Sequence, residues 1–378
     1  MWTALTTSVA ADATLTLTGG GLTAATLSNA GTVVVGGGSL ATTAGFQNLA
    51  AGRAILERNQ AAVFNGPSSN AGRITLGGGV ARLAGTDVLT NTGMLAGEGE
   101  IAKPFANAAA GQVTPDVGHT LLFSGNASNA GQINLNGGAV LFTQPLTNAA
   151  GATITGRGTL GTGGAGLTNL GSLALSAGTT DVYGDVTNPA GGRIVVSGGG
   201  TATFWDDVVH QSGATFKVSA GCAAVFFGNV SGNGSYSGTG TLYMEGDLKP
   251  GNSPAVVEVE GDLVLGDAAR LVAELAGRTP GSQYDVVDVG GLFALAGEFD
   301  VTLLDGFAPA YGDTFDLLDW GSRAGEFDAL NLPALGGGLA WDTSNFYSSG
   351  TLEVVPEPAT LALLGLGALA ALARRRRR

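Results

Sequence analysis

The polar and apolar positions of this chain alternate in short bursts, and the bursts recur. In "SNAGRITLGGG" (69–79) an Asn is followed by small residues and a Gly, then by Arg73-Ile74-Thr75-Leu76. A period of two sends Ile74 and Leu76 to one face and Arg73 and Thr75 to the other, the pattern of a half-buried strand. The same segment stands at 28–38 as "SNAGTVVVGGG" and at 128–138 as "SNAGQINLNGG". Looser copies are "QNLAAGRAIL" (47–56), "TNTGMLAGEG" (90–99), "ANAAAGQVTP" (106–115), "TNAAGATITG" (147–156), "TNLGSLAL" (168–175) and "TNPAGGRIVV" (187–196). The marker Asn falls at 29, 48, 70, 91, 107, 129, 148, 169 and 188, and His210 takes its slot in a tenth copy, "HQSGATFKV".

A period near 20 residues with β-branched runs predicts one solenoid coil per repeat. Asn tolerates the left-handed backbone of a turn and Gly supplies positive φ. Stacked coils would set equivalent Asn side chains above one another in a hydrogen-bonded ladder. Leucine-rich repeats share the period, but their spaced leucines and helical stretch are absent. The expected fold is all-β: a right-handed parallel β-helix of roughly ten coils over residues 1–237.

From about Ser235 the composition changes. Alternation persists at Phe299, Val301 and Leu303 and at Leu352 and Val354. Residues 238–355 therefore read as further coils plus a β-rich cap, which a solenoid needs to cover its last core layer and strand edges.

Composition sharpens this picture. The 378 residues include 65 Gly and are 44% hydrophobic but only 12% charged, too apolar for disorder. With 15 Phe, 6 Tyr and 4 Trp, the core is expected to be mainly small and aliphatic. Residues 1–244 carry 8 basic and 10 acidic side chains, whereas 245–355 carry 4 and 19. The net charge of −13 repels phosphate backbones, which argues against nucleic acid as a partner. The single cysteine, Cys222, sits among aliphatic and aromatic neighbours and reads as a buried, inert thiol.

Two stretches resemble known families. "GDLKPGNSP" (246–254), "AELAG" (273–277), "YDVVDV" (284–289), "LLDGFAP" (303–309) and "LAWDTS" (339–344) resemble the autotransporter-associated β-strand region. That resemblance implies the end of a β-helix passenger on an exported protein, and the membrane barrel that autotransporters carry is not expected here. The tail, "VPEPATLALLGLGALAALARRRRR" (355–378), looks like the PEP-CTERM sorting signal of Gram-negative bacteria. It has Pro356, Glu357 and Pro358, then an apolar run, then Arg374, Arg375, Arg376, Arg377 and Arg378.

The apolar run 359–373 makes about 22 Å of helix, short of the roughly 30 Å hydrocarbon core. The arginines would hold its end in the cytoplasm and recover some length by snorkelling. The resemblance implies that an exosortase recognises Pro356, Glu357 and Pro358 and removes the transmembrane helix in 356–378. The body would pass from the inner membrane to the cell surface or outside. Export also needs an N-terminal signal. "MWTALTTSVAADATLTLTGG" has neither a basic n-region nor an apolar h-region, so the true start is expected upstream, or the chain is a fragment.

Candidate chemistry is sparse. "GRGTLG" (156–161) fits a dinucleotide fingerprint, yet its siblings "GEGEIA" (97–102) and "GTGTLY" (238–243) mark all three as solenoid turns. His119 and His210 lie far apart and the only thiol is Cys222, so neither a metal nor a cofactor is expected. One polar cluster stands out, "FWDDVVH" (204–210). Trp205, Asp206, Asp207 and His210 could contact a glycan or do acid–base work, with Asp181 and Asp185 a coil away. Adjacent strand residues point to opposite faces, however, so Asp206 and Asp207 need a bulge to share a site.

The expectation is an exported, non-enzymatic structural or adhesive β-helix protein, with exopolysaccharide or a biofilm matrix as a possible partner. Its rivals are a β-helix polysaccharide lyase or hydrolase, which needs a denser patch of acids and bases, and a fragment of an autotransporter-like adhesin.

Overall fold

A computed structural model describes residues 2–164, 166–251 and 254–357. It is a parallel β-solenoid of about 13 turns. The pairings of its 38-stranded sheet are parallel, each strand bonded to its equivalent one turn later. A turn is built from up to three short strands. In one turn these are Gln112–Pro115, Thr120–Phe123 and Ala127–Asn129.

The facing follows the alternation. Ile74 and Leu76 are fully buried while Arg73 is exposed. Cys222 is buried, with Sγ 3.8 Å from the Ala220 carbonyl oxygen. The core is mainly small and aliphatic, as its composition predicts, and the few Phe residues concentrate inside it and stack coil on coil. Phe123 and Phe142 stack at 4.9 Å, Phe204 and Phe226 at 5.1 Å. Equal positions on successive coils face each other across one strand spacing, so ring on ring fills the column without a void.

Corners are where Gly matters. The strand Thr153–Gly161 turns between two faces at Gly156 (φ 99°) and Gly158 (φ 126°), where its register shifts. "GRGTLG" is thus a solenoid corner, continuous with its strand and followed by no helix that could take a phosphate.

Parallel coils continue past residue 237 to Ala329–Asn331. The end is closed by an antiparallel sheet in which Thr351–Pro356 lies between Thr314–Asp316 and Leu339–Asp342. Before its central strand a single helical turn, Phe346–Ser349, drives the fully buried Phe346 against Phe299 at 4.9 Å. This plug covers the last core layer. The transmembrane helix expected in 359–373 lies outside the described residues. Among those described, no helix is long and apolar enough to cross a membrane.

Candidate functional site

The marker asparagines form the ladder that their spacing predicts. Asn29, Asn48, Asn70, Asn91, Asn107, Asn129, Asn148, Asn169 and Asn188 are all buried. Each Nδ2 donates to the Oδ1 of the next Asn, from 2.7 Å at the start to 2.9 Å between Asn169 and Asn188. The second amide hydrogen goes to a backbone carbonyl of the next coil, as from Asn107 to Gln132 at 3.1 Å. Such an amide chain satisfies otherwise costly buried groups and runs one way. Its first acceptor, Asn29 Oδ1, is buried without a partner, because the aligned residue one coil earlier is Val9.

His210 ends the ladder. Its Nδ1 accepts from Asn188 Nδ2 at 3.2 Å and its Nε2 donates to the Ser235 carbonyl at 3.1 Å, the neutral tautomer. Burial lowers its pKa below the usual 6.5, with the Ser235 bond working against that. His210 therefore belongs to the interior and is separated from Trp205, which is 41% exposed.

Asp206 and Asp207 also part company. Asp206 Oδ2 accepts from the Gly184 backbone N–H at 2.7 Å, one coil back; Asp207 Oδ1 accepts from that of Asn229 at 2.8 Å, one coil forward. The two carboxylates pin successive corners and point away from each other. Asp181 Oδ1 accepts from Trp205 Nε1 at 3.0 Å, while Asp185 is exposed.

What the local cluster hid is a column. Tyr183, Trp205 and Phe227 occupy the same outward position on three successive coils and are 43%, 41% and 47% exposed. Their rings are parallel, 5.8 and 4.6 Å apart, with interplanar angles of 2° and 7°. Intervals of 22 residues between them carried the signal.

Two further buried groups went unanticipated. The Lys103 ammonium donates to the Phe64 carbonyl at 2.6 Å and to Ser68 Oγ at 3.0 Å, and burial lowers its pKa to about 8 against the pull of Asp87. In the cap-side coils Asp285 accepts backbone N–H bonds from Ala255 at 2.7 Å and Glu274 at 2.8 Å. Burial nonetheless pushes its carboxyl up to about 7. Among the described residues no His, Cys, Asp and Glu group has the arrangement to hold a metal ion.

At the other end, Pro356 pairs with Leu339 as the last residue of the cap's central strand. The Glu357 N–H donates to the Gly338 carbonyl at 2.8 Å, and both residues are solvent-exposed. Pro358 and Arg374 to Arg378 lie outside the described residues. Residues 354–378 match the family model of the PEP-CTERM protein-sorting motif. The chain carries a PEP-CTERM sorting motif. Such a motif marks an exported protein that an exosortase, a membrane enzyme, processes and that is sorted to the cell surface, usually in Gram-negative bacteria. No curated protein matches the chain. The sorting motif thus begins inside a folded strand: Val354 is buried in the cap, and two residues later Pro356, with no N–H to give, marks the strand's last position.

Proposed function

We propose that the solenoid is a structural and adhesive component of the cell surface or its exopolysaccharide matrix, delivered by the sorting motif and performing no catalysis. Its use of polar side chains supports this reading most. Acid–base cleavage of a glycan needs two carboxyl groups converging on one bond. Here Asp206 and Asp207 diverge onto the backbones of opposite neighbouring coils. The buried amides likewise bind one coil to the next from Asn29 to His210, and a rod stitched along that length suits a load-bearing or spacing role. An acidic surface keeps such rods apart in solution and disfavours nucleic acid.

The test uses the full chain behind a working signal peptide, in a host with and without an exosortase. With the enzyme, the intact mass falls by the apolar run and arginines and the body reaches the surface. Without it, or in Glu357→Ala, the full-length form stays in the inner membrane. The recovered body leaves a panel of acidic and neutral polysaccharides uncut. Turnover that disappears in Asp206→Asn or Asp207→Asn would establish the enzyme instead.

A further inference from the structure

The aromatic column stops where a side chain is missing. Strand registers align Leu122, Leu141, Gly161 and Tyr183 on successive coils, and the column continues into Trp205 and Phe227. Trp205 covers one face of the Tyr183 ring. On the other side the aligned residue is Gly161, which has no side chain to cover it. The result is a recess of about 490 Å³, lined by Leu122, Leu141, Thr143, Thr159, Gly161 and Tyr183 among others. That volume lies within the roughly 300–1,000 Å³ typical of small-ligand sites.

The dimensions and chemistry select an occupant. Leu141 and Tyr183 lie two coils apart, about 9.6 Å at roughly 4.8 Å per coil. The end of Leu141 leans into that gap, 2.8 Å from the Cβ position of Gly161, which is itself 3.9 Å from Tyr183 Cβ. A flat ring stacked about 3.5–4 Å from Tyr183 therefore enters as that movable end swings aside. The Tyr183 ring offers a face for C–H groups, and Thr143 and Thr159 line the recess. The Thr143 hydroxyl donates to the Ser124 carbonyl at 3.2 Å and keeps its lone pairs to accept from a ligand's hydroxyl. The lining holds no charged side chain, and the nearby coils present carboxylates at Asp181, Asp185 and Asp206. One cation, Arg157, stands on the strand of Gly161 and is held on the Ala177 carbonyl, so the carboxylates outnumber it and the surround disfavours uronates, sulfates and phosphates.

We propose that the Gly161 recess binds one ring of a neutral glycan, stacked on Tyr183, with the rest of the glycan running along the outward column. This rests on the adhesive reading above and gives that reading its ligand class and its contact residues.

The experiment titrates the purified full-length chain with neutral cello- and laminari-oligosaccharides, with oligogalacturonate as the anionic counterpart. It follows heat and intrinsic tryptophan fluorescence and checks the sugars for cleavage afterwards. At least one neutral series binds and the uronate does not. Tyr183→Ala weakens binding about tenfold or more, the loss of one stacked ring. Gly161→Val fills the recess with the same effect; this glycine has no positive φ, and its nearest obstacle is the movable end of Leu141, 2.8 Å from the added Cβ. Melting curves confirm that both variants fold.

Absence of binding by both neutral series overturns the proposal, as does binding indifferent to both substitutions. A concentration-dependent dimer that Tyr183→Ala abolishes would overturn it in favour of a contact between copies. Binding with cleavage would leave the recess standing and sink the non-catalytic reading. An exported, inert body that binds no sugar would do the reverse.

Discussion

Replacing Asn107 by Ala cuts the amide ladder at its middle. The substitution removes the bond to Asn129 Oδ1 (2.7 Å), the bond to the Gln132 carbonyl (3.1 Å) and the acceptor for Asn91 Nδ2 (2.8 Å). None of these groups can turn to water, since Asn91, Asn107 and Asn129 are each no more than 1% exposed. A hydrogen bond contributes about 1 kcal/mol net, and a buried group left without one costs about 1–3 kcal/mol. Asn129 Oδ1 keeps a 3.2 Å bond from the Gly131 N–H, and Asn91 Nδ2 keeps carbonyl partners, so the low end applies. The expected loss is about 3–4 kcal/mol. Asn29→Ala should cost about 2 kcal/mol, because it removes two bonds and trades one orphaned acceptor, Asn29 Oδ1, for another, Asn48 Oδ1. Hydrogen exchange read by mass spectrometry is the suitable assay, since a solenoid opens locally and a single global transition is not assured. Protection should drop in the strands Leu89–Asn91, Phe105–Asn107 and Ala127–Asn129. A loss below about 1 kcal/mol at Asn107 would refute the ladder as a source of cohesion.

Three further outcomes follow from the buried groups. His210 has a depressed folded pKa, so its contribution is present above the unfolded value of 6.5 and is lost as pH falls below it; His210→Asn, which suits the slot, should abolish that acid-side loss in urea melts. Asp285 has a raised folded pKa and acts with opposite sign, destabilising as pH rises from 3.8 through about 7, so the difference between the two proteins isolates His210. Lys103, lowered from 10.5 to about 8, destabilises the fold at neutral pH; stability should rise between pH 8 and 10, and Lys103→Met should remove that rise. Ile74→Asp buries an unpaired charge and should cost more than about 4 kcal/mol, whereas the outward Thr75→Asp should stay within about 1 kcal/mol; equal losses in thermal melts would contradict the facing.

What could be read from the chain depended on the direction of reading. Along the chain, alternation settled the facing of Ile74 and Leu76, and recurrence settled the ladder, because both are consequences of strand and coil periods alone. Sites on a solenoid are different. Residues that touch lie about one period apart, so a surface patch is written down a column of the repeat, and a run such as "FWDDVVH" mixes columns that face different ways. His210 shared a slot with buried amides, which already placed it inside and away from Trp205. Tyr183 and Phe227, each 22 residues from Trp205, were its true neighbours. Lys103 lay beyond either reading. It has no counterpart on neighbouring coils, and its partners, the Phe64 carbonyl and Ser68, are 39 and 35 residues away at a corner where alternation lapses. The Gly161 recess shows the same logic in negative. A glycine in a strand weakens it for want of a side chain to pack, and only its column, between Leu141 and Tyr183, reveals that the missing side chain leaves room for a ring.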